Sequence, residues 1–182
     1  AFFFFFYKVF AFVRTGIISR QFSDSVETLD TFNVANNLPD VLFALISGGA
    51  LAMAFIPLLT EYLTTKDRAA AWDLFSRVAN VAFLVTGSLA ILIAIFAQPI
   101  VDAKLGIAPG FGQAQRTLLA ELMRLNLVGT LIFSISGLVM ASLQANQHFV
   151  FPAMAPIMYN IGQIFGAIFL VPIYGIYGLV YG

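Results

Sequence analysis

The stretch from Asp30 to Tyr62, DTFNVANNLPDVLFALISGGALAMAFIPLLTEY, decides the fold class of this chain. It opens polar, with Asp30, Asn33, Asn36, Asn37 and Asp40, and then runs from Val41 to Thr60 without a charged side chain. Twenty residues of helix reach about 30 Å, the thickness of a bilayer's hydrocarbon core. Pro39, Gly48, Gly49 and Pro57 interrupt the run. Such breaks survive in a membrane helix where neighbouring helices or a water-filled cavity satisfy the freed backbone groups. The stretch therefore predicts a bent membrane helix, hinged at those four residues, that faces protein or a cavity.

The remainder of the chain has the composition to surround it. Hydrophobic residues make up 60% and charged residues 10%, and charge-free runs long enough to span a bilayer recur. Nine basic and nine acidic residues cancel, whereas a nucleic-acid binder would carry a basic excess. Without cysteine there is no disulfide, thiol catalysis or cysteine metal site, and the single histidine, His148, cannot build a histidine metal site alone. No metal or cofactor is expected. No nucleophile, base and acid fall on one plausible surface, so an enzyme is the weakest reading. The ends read as internal to a longer membrane chain. AFFFFF starts apolar with no basic leader, and Gly182 stops inside another apolar segment. A signal peptide is the alternative at the N-terminus, but Lys8 follows the apolar start and no small-residue cleavage site is evident.

Hydropathy predicts an all-α, polytopic transmembrane bundle, with helices over about 1–22, 30–62, 74–98, 117–143 and 150–171. Residues 176–182 begin a sixth. The connection from Ser23 to Leu29 is acidic, while Leu63 to Arg77 is the most basic and holds Trp72. The positive-inside rule puts the latter in the cytoplasm. In the first segment, Lys8 and Arg20 can snorkel to the interfaces. Arg14 lies deeper, where a cation costs about 2.5–3.5 kcal/mol and needs a partner or a role. A salt bridge to Asp30 or Asp40 and a ligand-facing role are both open. Asp30 itself also reads as a helix-start residue favoured by the dipole.

Farther on, LGIAPGFG (Leu105 to Gly112) reads as a turn, without the lysine of a P-loop. Glu121 and Arg124, spaced i, i+3, are expected to pair with each other. QANQHF (Gln144 to Phe149) is a short polar turn in which His148 reads as solvated. Gly162 and Gly166 have GxxxG spacing, which permits close helix contact. Arg14, Asp30, Asn33, Asn37, Asp40, Asn160 and Gln163 make up the polar interior. A transporter is favoured by the broken second helix and the buried ionisable groups.

At the second segment the sequence resembles the MurJ/MviN family of lipid II flippases, in the multidrug/oligosaccharidyl-lipid/polysaccharide exporter superfamily. The family pattern runs roughly DAF, then A, then L/I-P, then AF-I/V-P, then EY. It is matched here at Asp30, Phe32, Ala35, Leu38, Pro39, Gly49, Ala50, Ala54, Phe55, Pro57, Glu61 and Tyr62. Phe12, Val13 and Arg14 are similar to a first-helix motif, Ala108 to Phe111 to an APGF loop, and Phe151 to Pro156 with Asn160 and Ile161 to the opening of helix five. The resemblance covers nearly the whole chain.

It implies the first lobe of a two-lobe, fourteen-helix transporter in a bacterial inner membrane, and no enzyme. Such a protein would flip lipid II, or a related undecaprenyl-pyrophosphate-linked saccharide, by alternating access. Its partners would be that substrate, membrane lipids and a C-terminal lobe of the same chain that also holds the coupling-ion site. The resemblance puts Arg14 on a cavity arginine, Lys8 on a second basic position and Asp30 on the acid opening helix two, with Asn33 and Asn37 beside them as substrate-binding candidates. Thr15 stands where the family has an acid, and Phe43, Ala44 and Gly48 where many members carry two arginines and a glutamate, so this cavity is less basic. Two rivals follow. One is an exporter of another polyprenyl-linked saccharide or a drug. The other is a non-transporting scaffold, in which Arg14 and Asp30 would pair in a closed bundle with no cavity.

Overall fold

The computed structural model describes residues 2–44, 50–103, 108 and 110–182, with the backbone alone for Phe2, Phe4, Ala50, Leu51 and Ala52. The described elements are helical, with no strand among them. In chain order they are α1 (Phe2–Gln21), α2 (Val26–Phe43), α3 (Ala50–Thr65), α4 (Arg68–Ile95), α5 (Ala97–Asp102), α6 (Gln113–Ala145), α7 (Val150–Phe165), a π turn (Gly166–Leu170), α8 (Val171–Tyr174) and α9 (Tyr177–Tyr181). Three stretches are long and apolar enough to cross a membrane: Arg68–Ile95, Gln113–Ala145 and Val150–Tyr174. On α4, Val81, Leu84, Ile91 and Ile95 are 61–65% exposed, a face that suits lipid rather than water.

Several boundaries differ from those expected, each for a local reason. Helix α2 starts at Val26 rather than Asp30. Glu27 occupies the favourable acidic position in its first turn, so Asp30 lies inside the helix and is not its start. Pro39 and Pro57 both sit within helices, while Gly48 and Gly49 lie outside the described residues. Helix α4 starts at Arg68 because the Asp67 carboxylate caps it, accepting from the Ala70 N–H at 2.7 Å. Helix α5 carries the chain on past the end, near residue 98, expected for the third helix. Of the LGIAPGFG loop, Ala108 is buried and Gly110 turns the chain at φ 80°. Gly112 then opens α6, its N–H donating to the Gln115 side chain at 3.0 Å.

Helix α6, 33 residues long, is the spine. It packs against α2, α3, α4, α5, α7 and α9. Its N-terminal half buries Leu119, Leu122 and Met123 in a core with Ile18 of α1, Phe22 just after it, Phe32 and Ala35 of α2, and Ala97 and Val101 of α5. Its C-terminal half shares Leu138, Ala141 and Ala145 with Phe55 and Leu59 of α3 and Ala71 and Ala82 of α4. A hydrogen bond joins spine and second helix, from Asn126 Nδ2 to Asn36 Oδ1 at 2.8 Å.

The GxxxG expectation is met against a second pair of the same spacing. Pro172 has no N–H for the Ile168 carbonyl, and its ring would crowd that oxygen in an α-helix. The backbone there widens into the π turn, and Gly175 (φ 59°) reverses the chain. This lays α9 on the end of α7. A Cβ on Gly162 would lie 2.5 Å from the Gly182 carbonyl oxygen, and one on Gly166 would lie 2.6 Å from that of Gly178. Backbone meets backbone, so only glycine fits. Gly166→Ala is therefore expected to destabilise the purified protein by about 1–3 kcal/mol, the usual cost of overpacking. Gly87→Ala, whose Cβ would meet only the Leu131 side chain at 3.8 Å, should leave the melting temperature the same or raise it, since alanine is the better helix former. Thermal melts in detergent compare the two; equal melting temperatures would contradict the close approach.

Candidate functional site

Helices α1 and α7 pack side by side, and α2 packs on α6. Between α1, α2 and α7 lies a cleft of about 220 Å³. Helix α1 contributes Arg14, Thr15, Ile18 and Ser19; α2 contributes Leu29, Phe32, Asn33 and Asn36; α7 contributes Tyr159 and Gln163. Each set recurs at intervals of three or four, which keeps it on one face of its helix. The apolar members anchor that face, since Ile18 and Phe32 are buried in the core.

Arg14 is half-buried on this cleft and forms no ion pair with the described residues. The one ion pair among the described residues is Arg77 with Asp73, on exposed surface at 2.8 Å. The expected alternative of an Arg14 salt bridge to Asp30 or Asp40 is not formed, and both carboxylates are exposed. Nor do Glu121 and Arg124 pair with each other. Arg124 Nε donates to the Ala94 carbonyl at 2.9 Å, holding the end of α4, and Glu121 accepts from the Tyr177 hydroxyl.

Of the expected site residues, Arg14 and Asn33 line the cleft. Lys8, Asp30 and Asn37 do not, and all three are exposed. Rotation explains the split. Residues advance about 100° around a helix, so Lys8 sits about 120° away from Arg14. By the same count Asp30 and Asn37 lie about 80–100° off the stripe of Leu29, Phe32, Asn33 and Asn36.

Sequence reasoning passed over Thr15, Ser19 and Tyr159 as lining residues. The available signal was helical spacing: Ser19 follows Thr15, and Gln163 follows Tyr159, by one turn. Asn160, expected in the polar interior, is buried, and its Nδ2 donates to the Pro156 carbonyl at 2.8 Å.

Two lining residues already donate to the backbone. Thr15 Oγ1 donates to the Ala11 carbonyl at 2.9 Å, and Asn36 Nδ2 to that of Phe32 at 3.1 Å. What the cleft offers a ligand is one unneutralised guanidinium with uncharged polar groups beside it. A planar fork of this kind suits carboxylate or phosphate oxygens. No group of histidine or carboxylate residues placed to hold a metal occurs among the described residues.

The absence of an Arg14–Asp30 pair has a measurable consequence. Asp30→Asn is expected to change stability by less than about 0.5 kcal/mol, as for an unpaired surface substitution. Breaking a buried pair would instead cost about 3–5 kcal/mol. Denaturation of the two purified proteins separates these cases.

Residues 18–182 match the family described as "Lipid II flippase MurJ". A "Probable lipid II flippase MurJ" of Buchnera aphidicola subsp. Acyrthosiphon pisum is 30% identical over 164 residues, covering 89% of this chain and 31% of that protein. The "Lipid II flippase MurJ" of Burkholderia cenocepacia is 28% identical over 165 residues, covering 91% of this chain and 32% of that protein. The chain thus spans about a third of the length of the curated relatives it matches. With nearly all of its residues inside the matched region, the chain belongs to the MurJ family.

Proposed function

We propose that this chain is the N-terminal lobe of a lipid II flippase of a bacterial inner membrane, with a C-terminal lobe supplied by the same polypeptide. Family membership and the three membrane-capable helices support this reading. The observation that carries it is Arg14 of α1, a cation with no carboxylate partner among the described residues, lining a polar cleft. A buried or half-buried charge costs free energy that a structural scaffold would recover by pairing it. A site for an anionic ligand recovers it when the ligand arrives. The scaffold reading required an Arg14–Asp30 pair and a closed bundle, and neither is present.

The cleft's size favours one part of such a substrate. Pockets that enclose whole small molecules run about 300–1,000 Å³. One of 220 Å³ takes the phosphate end of a lipid-linked precursor, not its saccharide and peptide. Those would lie towards the second lobe. Alternating access follows if the lobes rock about the bound phosphate, with Arg14 neutralising charge that must cross a low-dielectric region. In this reading the chain makes five spans, with a sixth beginning near residue 176, and the basic residues around the α3–α4 turn favour its lying in the cytoplasm.

Complementation tests this proposal. The complete reading frame that contains this sequence is expressed in bacteria depleted of their own lipid II flippase. Wild type is expected to restore growth, and a membrane-inserted Arg14→Ala protein is expected to fail. Arg14→Lys keeps the charge but loses the fork, and should restore growth partly. Failure of well-inserted wild type would overturn lipid II as substrate and favour another polyprenyl-linked saccharide. Rescue by Arg14→Ala would remove Arg14 from the site.

A further inference from the structure

The α7 wall of the Arg14 cleft is Tyr159 with Gln163. Gln163 is buried, 8% exposed, and its Nε2 donates to the Tyr159 hydroxyl oxygen at 2.9 Å. That bond uses a lone pair of the phenol oxygen and leaves the phenol's own O–H proton without an acceptor among the described residues. The ring is held as well. Phe133 of α6 meets it edge-on, with centroids 5.9 Å apart at 66°, and Phe133 in turn meets Phe43 of α2 at 6.3 Å and 70°. Three helices therefore set one hydroxyl at the cleft, with its donor uncommitted.

A phosphate or pyrophosphate group brings more acceptor oxygens than one guanidinium can serve. In a low-dielectric site each oxygen left without a donor weakens binding. Thr15 has committed its one donor to the Ala11 carbonyl, and Asn36 one of its two N–H donors to the Phe32 carbonyl. Phe43 and Ala44 add no cation on the α2 side. We infer that Tyr159, positioned by Gln163, is a second phosphate-binding donor of this cleft, its O–H donating to an oxygen of the group that Arg14 engages. This rests on the flippase reading and names a residue for it. An uncharged donor suits the position, because it completes the ligand's hydrogen bonding without a second desolvated charge.

The test is direct binding to the full-length protein in nanodiscs of neutral lipid, with two probes: lipid II, and undecaprenol, which has the same chain and no phosphate. Tyr159→Phe keeps the ring and its contact with Phe133 and removes only the hydroxyl. It is expected to weaken lipid II binding about tenfold, the scale of one hydrogen bond to a charged group, and to leave undecaprenol binding unchanged. Gln163→Leu is expected to weaken lipid II binding too, and the double variant no more than Tyr159→Phe alone, because Gln163 acts through Tyr159. Wild-type affinity in Tyr159→Phe, alongside weak binding by Arg14→Ala, would overturn this inference and leave the flippase reading standing. Equal weakening of both probes by Tyr159→Phe would make its role structural and also overturn it. A wild type that binds lipid II no better than undecaprenol would overturn both.

Discussion

Close approach to helix α6 is the constraint on which the rest of the bundle depends. Lipid tails are as apolar as leucine, so helices in a membrane gain little by turning apolar side chains towards one another. What holds them is backbone proximity, tight packing and a few hydrogen bonds. Helix α6 supplies all three along its length. Ser134, Gly137, Ala141 and Ala145 are small and buried, letting α3 and α4 approach its C-terminal half. Asn126, midway, reaches Asn36 on α2. Leu119, Leu122 and Met123 fill the wider space where α1, α2 and α5 converge. The same physics recurs in miniature where the glycines of α7 and the π turn meet those of α9.

With α2 held on α6 and α1 on α7, the remaining space between the two pairs is the cleft. Its character follows from what the packing consumed. Ile18 and Phe32 were drawn into the core, which turns Arg14, Ser19, Asn33 and Asn36 towards the space that is left. Two of the lining donors then close onto their own helices through side chain to backbone bonds one turn back. The residual chemistry is narrow: a guanidinium with no carboxylate, and neutral donors. Narrowness is informative, because a cleft with fewer committed groups would fit more kinds of ligand.

Elsewhere the polar groups do structural work. Arg124 and Glu121, adjacent on α6, each reach to a different element: Arg124 to the last turn of α4, Glu121 to Tyr177 at the start of α9. Spacing alone suggested a local pair. It could not reveal that two better partners, a free helix-end carbonyl and a phenol, would be brought within reach. Asp30 shows the same limit. Read as the opening of its helix, it sits a turn inside, because Glu27 and the Ser23 to Ser25 turn start the helix earlier.

Composition and hydropathy by themselves determined that the chain is helical, apolar enough for a membrane and without cysteine. The Asp30 to Tyr62 pattern determined its family. These are local properties, written in which residues are present and how they are spaced along one segment. The sequence also picked out Arg14 and Asn33, because a cation or an amide at depth is conspicuous wherever it points. Only the tertiary structure decided which way each one points and what it meets. Lys8, Asp30 and Asn37 fell off the cleft by a rotation of about 80–120° around their helices. Tyr159 came to it from a helix more than a hundred residues along the chain from Arg14. Helix rotation is set by packing against neighbours, and those neighbours are distant in sequence, so no single segment could have disclosed the site.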